Sequence, residues 1–166
     1  MEARKLSKSE SELFQLSLRI RHPSLDPAEL SRELRIKAEH SFRAGDPRPA
    51  RSSLASPSVH AESYWLGTLN PANWARLPFA DPRLQRAQQS LGVVVTRTLG
   101  WALTLSARFL SLHAVTLQRI RAEGGQISLL VTLPIGGLTG FSVAPEVSRM
   151  FGELGIAVEF ELTSDE

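Results

Sequence analysis

The chain contains no cysteine among its 166 residues. That excludes a disulfide framework, a thiolate nucleophile and any cysteine-ligated metal, and it favours a reducing compartment, with the cytoplasm expected. Long unbroken apolar runs are missing too. The nearest approach, LGVVVTRTLGWALTLSARFLSLHAV, is interrupted by Arg97 and Arg108. Each would cost about 3 kcal/mol at a bilayer centre, so a buried helix is expected there and a membrane span is not. The opening MEARKLSKSESE is charged and lacks the apolar core of a signal peptide. Charge of one sign is scarce as well: 19 Lys and Arg against 17 Asp and Glu give a formal net charge of +2. No segment concentrates cations as a dedicated nucleic-acid binder does, which makes nucleic acid a disfavoured partner.

Catalytic signatures are equally sparse. There is no Gly-x-Ser-x-Gly elbow to support a Ser–His–Asp hydrolase. Pro134-Ile135-Gly136-Gly137-Leu138-Thr139-Gly140 lies between a strand and a helix, where phosphate loops occur. No Gly-Lys-Ser/Thr follows, and the helix opens near Pro145, too late to meet an anion held at Gly136, so a plain turn is expected. The four histidines are scattered. His40 and His60 bracket a loop containing Asp46, and only convergence of all three would make a metal site there. No metal or other cofactor is expected.

What is present is a foldable core: 42% of the residues are hydrophobic, enough for one domain. Its expected bounds are a lead-in over 1–11, a single domain over 12–162 and a tail over 163–166. The C-terminal third reads as strand, helix, strand. Val147, Met150, Phe151 and Leu154 form one apolar helical stripe, Pro145 suits its first turn and Gly155 its left-handed end. Val158, Phe160 and Leu162 then alternate with Glu159 and Glu161. An N-terminal unit has the same form. Leu16, Leu18 and Ile20 alternate with Ser17, Arg19 and Arg21, and Asp26, Pro27 and Glu29 supply cap, first turn and capping box for a helix burying Leu30 and Leu34. The outward arginines would sit opposite Glu159 and Glu161 if the two strands were neighbours, but a solvated sheet face of mixed charge is the favoured expectation. Ala28–Arg32 and Pro145–Arg149 also resemble each other as text. Duplication and convergence on one geometry both explain that.

Between these units the pattern predicts a short strand over His40–Arg43, a loop over 45–60, and a strand over Glu62–Leu69. That strand has bulk on both faces, so one of its aromatics should lie away from the helices. A long apolar seam, Leu84 through Ala102 and Leu105 to Phe109, then predicts a helix, although Gly92, Gly100 and the β-branched VVVTRTL weaken it. Ser111 is expected to cap a short helix ending at Gly124-Gly125, before a strand with Ile127, Leu129, Val131 and Leu133 on one face. The order is β-α-β-β-α-α-β-α-β, an α+β fold of ferredoxin-like character with helices packed on one face of a mixed sheet.

The runs HPSLDPAELSREL, HSFRAGDPR, ESYWLGTL and GFSVAPEVSRMFGELGIAVEFEL are similar to the bacterial family catalogued as domain of unknown function 4279. The resemblance falls on Asp26-Pro27, Arg43-Ala44-Gly45-Asp46, Trp65 and Leu154-Gly155-Ile156, and departs from the family over Gly92–Leu110. It implies a fold and a small bacterial cytosolic protein, and brings no activity or catalytic residues. A toxin-neutralising or immunity role follows only by analogy.

The best candidate binding patch is Arg43, Gly45, Asp46, Arg48 and Arg51 with Trp65 from the next strand. A fixed bend at Gly45-Asp46-Pro47 would present the guanidiniums beside an indole, a plausible anchor. The competing reading has Asp46 capping the turn, solvated arginines, and Trp65 packed on the loop. Trp101, near Arg97 and Arg108, is a second candidate against core packing. The leading functional expectation is a non-enzymatic interaction module with a protein partner, regulatory or toxin-neutralising, with a homodimer left open. The alternatives are a small-ligand binder or hydrolytic enzyme with its site under the 45–60 loop, and a weak nucleic-acid binder.

Overall fold

The computed structural model describes residues 14–49, 58–71, 99–135 and 141–163. In chain order the elements are β1 (Gln15–His22), α1 (Pro27–Leu34), β2 (His40–Phe42), β3 (Ser63–Leu69), α2 (Leu99–Leu112), α3 (Ala114–Ala122), β4 (Gln126–Pro134), α4 (Pro145–Leu154) and β5 (Ile156–Thr163). This is the predicted order and an α+β fold. The five strands form one mixed sheet in the order β2-β3-β1-β4-β5. β1 is antiparallel to both β3 and β4, β2 is antiparallel to β3, and β4 is parallel to β5. β1 and β2 therefore run the same way with β3 between them. That is the split β-α-β arrangement of ferredoxin-like folds, to which α4 adds β5 as a parallel edge strand.

Local chemistry sets the two crossover helices. Asp26 caps α1 by accepting the Ala28 N–H at 2.9 Å, with Pro27 in the first turn. α4 opens on Pro145 and closes on Gly155 at φ 68, a left-handed end that suits glycine. Leu30, Leu34, Val147, Met150 and Phe151 all enter one cluster with Leu16, Leu18, Ile20, Leu129 and Val131. The helices thus share one side of the sheet. Leu130, buried on the opposite side between its cross-strand neighbours Ser17 and Glu159, stays outside that cluster.

The predicted long helix is described from Leu99 onward; residues 82–98 lie outside the described residues. α2 is buried on nearly every side, as a helix that is apolar all round must be. The hydroxyls of Thr104 and Ser106 donate to Gly100 O and Ala102 O, so neither is left bare in the core. No described helix is long and apolar enough to cross a membrane. Ser111 is not a cap: it sits in the last turn of α2 and donates to Arg108 O, and the chain breaks at His113 instead. α3 then ends at Ala122, with Gly124 at φ 89 turning the chain into β4.

Two strand details correct the expectations. β1 and β5 are not neighbours, because β4 lies between them. Arg19 nevertheless reaches across β4 to chelate Glu159, at 2.6 and 2.7 Å. The apolar face of β5 also runs out of cover. Val158 packs on the core, whereas Phe160 and Leu162 are exposed and Phe160 stacks on Phe141.

Candidate functional site

The predicted bend exists, one residue earlier than its proline. Arg43-Ala44-Gly45-Asp46 is a four-residue turn closed by Asp46 N–H to Arg43 O at 3.1 Å. Gly45 takes its third position at φ 88, where only glycine is unstrained. The Asp46 carboxylate accepts the Arg43 N–H at 2.7 Å. Beyond the turn the two strands of the hairpin keep pairing. Gly45 N–H donates to His60 O, His60 N–H to Asp46 O, and Arg48 N–H to Ser58 O, all within 2.8 to 2.9 Å, and Pro47 bridges Val59. Both ends of the 45–60 loop are therefore ladder rather than free coil. Arg51 lies outside the described residues.

The structure does not bring the five described residues of the predicted patch together as one surface. Arg43 turns back to Asp26 at 2.7 Å, tying the exit of β2 to the start of α1. The Ala28 N–H, and then Arg43, hold the Asp26 carboxyl below the usual carboxylate range. Trp65 is wholly buried, its indole N–H donating to Ser31 Oγ at 2.9 Å. It is core, and no anchor for a partner. The reason is register: Trp65 opposes Ile20 on the helix side, and Gly67 leaves the space its ring fills. A Cβ at position 67 would lie 2.6 Å from that ring.

The open face carries a different aromatic group, one the sequence reading left unassembled. Phe42 stacks on Tyr64 with ring centroids 5.2 Å apart and on His60 at 3.6 Å, and His40 meets both Phe42 and Tyr64 edge-on. On the same face Tyr64 opposes Arg21, and Arg21 opposes Gln126, across the sheet. The usable signal was the alternation of β3, which required one of its aromatics on this side. His40 and His60 are engaged with these rings while Asp46 serves the turn, so the three do not converge. Among the described residues no group of three or more potential ligands is placed to hold a metal.

Beside the ring stack, at the end of β1, opens a cleft of about 360 Å³ lined by Arg21, His22, Arg48, Glu62, Gln126 and their neighbours. Arg48 is thus the predicted residue that reaches a concave site. Arg21 Nε approaches Glu62 at 3.9 Å, beyond hydrogen-bond reach. His22 is buried. Its Nδ1 accepts the Ser24 N–H at 3.1 Å, which leaves the proton on Nε2. Nε2 lies 3.2 Å from Glu123 but out of line for a hydrogen bond. Further along the open face, the Ser128 side chain and then Arg19 hold Glu159 below the usual range. Trp101, the second candidate, is half-buried against the core, and Arg97 lies outside the described residues.

Compared with protein-family models, curated proteins and solved structures, the chain gives no significant match.

Proposed function

We propose that this chain is a non-enzymatic interaction module, working in the cytoplasm, that holds a protein partner on the open face of its sheet. The observation that carries the reading is the stack of His60, Phe42 and Tyr64, with Arg21 at the cross-strand position opposite Tyr64 and the cleft beside it. Aromatic rings that already pack on one another on paired strands lose little freedom when they bind, and a neighbouring guanidinium adds a charged, planar contact, which suits such groups as anchors. The same face disfavours a polyanion. Arg19 is already spent on Glu159, and Glu161 and Glu62 interrupt any cationic track that a nucleic-acid backbone would follow. Kinship with the bacterial family of unknown function, if it holds, concerns the fold and adds no activity.

A photo-crosslinking amino acid at position 64 tests this in cells that make the protein naturally. The expected result is one predominant protein adduct, strongly reduced when Arg48→Glu is added and absent when the crosslinker sits at exposed Gln118 on α3. No adduct from position 64, or equal yields from 64 and 118, would contradict it. A small-ligand site is the second reading, favoured by the cleft.

A further inference from the structure

We propose that the cleft at the end of β1 receives a single carboxylate group, held between Arg48 and Arg21 with the Gln126 amide as a further donor. The inference rests on the interaction reading and names the chemistry of the partner's deepest contact.

The donors are available. Arg48 forms no ion pair with any described residue, and Arg21 makes only a 3.9 Å approach to Glu62 and a longer-range charge interaction with Glu159. Arg19, Arg43 and Arg119, by contrast, each hold a carboxylate at 3.0 Å or less. A guanidinium is a planar fork whose paired N–H groups match the two oxygens of a carboxylate. The donors are also fixed at their bases. Arg21 is paired through β1 to β3 and β4, Gln126 lies on β4, and the Arg48 backbone is pinned by its bond to Ser58 O and the adjoining Pro47–Val59 bridge. Preorganisation of this kind lowers the entropic cost of binding.

Charge selects the ligand. Two guanidiniums and the Glu62 carboxylate line the cleft, and these three groups carry a formal surplus of one positive charge. One monoanion neutralises it, whereas a phosphate dianion leaves a negative surplus facing Glu62. Shape agrees. Pro23, Ala61 and Gly124 form the remaining wall, and Gly124 adds no side chain, so an aliphatic stem can enter behind its carboxylate. At about 360 Å³ the space suits an acidic side chain, a chain terminus or a small organic acid. These three sources share one chemistry, and a titration separates them.

The experiment follows the Arg Nε–H and Gln126 amide signals of the full chain by nuclear magnetic resonance. The probes are sodium acetate, inorganic phosphate, an acetylated alanine peptide with a free C-terminus, and the same peptide amidated with one central glutamate. Saturable shifts at Arg48, Arg21 and Gln126 with a carboxylate probe are expected, weakened about tenfold or more by Arg48→Gln and little changed by Arg19→Gln. The free-terminus peptide binding best identifies a chain end, the glutamate peptide a side chain, and acetate matching both a free acid. Absence of saturation with every carboxylate probe overturns the proposal. So does binding indifferent to Arg48→Gln, or phosphate bound more tightly than carboxylate. If position 64 still captures a partner while the cleft ignores carboxylates, the carboxylate assignment fails and the interaction reading stands. The reverse result removes the partner and leaves the cleft.

Discussion

Trp65 and Gly67 decide which side of β3 is core. The indole passes over the backbone at position 67 and reaches Ser31 on α1, so a methyl group added there meets the ring at 2.6 Å and Ile36 at 2.8 Å. Gly45 is glycine for another reason. It sits at φ 88 with nothing within 4 Å of an added Cβ, so its constraint is purely conformational. Gly67→Ala should therefore cost about 2 kcal/mol through overpacking, and Gly45→Ala about 1 kcal/mol through backbone strain. Denaturant midpoints of the two variants measure both. Equal stability of Gly67→Ala and the parent chain would mean that Trp65 does not lie where the register puts it. The pair also shows why the sequence misled at this point. Alternation divides β3 into Ser63, Trp65, Gly67 and Leu69 against Tyr64, Leu66 and Thr68, but both halves carry an aromatic. The glycine in the Trp65 half was the available sign that a large ring needed room.

At the scale of elements, α1, α4 and the strands they join were legible because each signal is local. Asp26-Pro27, Pro145 and Gly155 mark the ends of their helices, and the apolar stripes between them need no knowledge of the rest of the fold. The joint between α2 and α3 was not legible. Ser111 has the chemistry of a cap, yet its hydroxyl is used within α2 and His113 takes the boundary. His113 packs its ring against Phe109 at 4.8 Å. Burial, then the charge of Arg35, lowers its pKa below the ordinary 6.5, with Glu33 opposing. The folded chain therefore resists a proton that the unfolded chain accepts. The stability this confers is complete above the ordinary value and is lost as pH falls through the folded pKa. Urea midpoints taken between about pH 7.5 and about pH 5 should fall less steeply for His113→Asn than for the parent chain. Identical slopes would show that His113 titrates no differently in the folded and unfolded chains.

At the scale of the whole molecule, the described helices that join the core cluster lie on one side of the sheet, and the proposed binding surface is on the other. The order of elements foretold that layering, because two crossover units with one-striped helices have no economical alternative. Strand adjacency was beyond the sequence. A pairing of the outward arginines with Glu159 or Glu161 was only the lesser expectation and assumed neighbouring strands. β4 runs between those strands, and Arg19 meets Glu159 because its side chain spans it. The candidate patch divided for a similar reason. Arg43, Gly45 and Asp46 build the turn, Trp65 joins the core, and Arg48 meets Arg21 from a strand distant in the chain. Phe42, Tyr64 and His60 come together only through the hairpin pairing that sequence patterning does not specify.

The absence of native cysteine makes the central claim directly measurable, since each introduced thiol is the only one present. Alkylation rates under native conditions should be compared for Arg21→Cys and Tyr64→Cys on the open face and for Val131→Cys and Leu129→Cys on the helix side. The account predicts fast labelling at positions 21 and 64 and strong protection at 129 and 131. Protection at 21 and 64, or thiols at 129 and 131 that react as quickly, would mean that the ring stack and its cleft do not face outward.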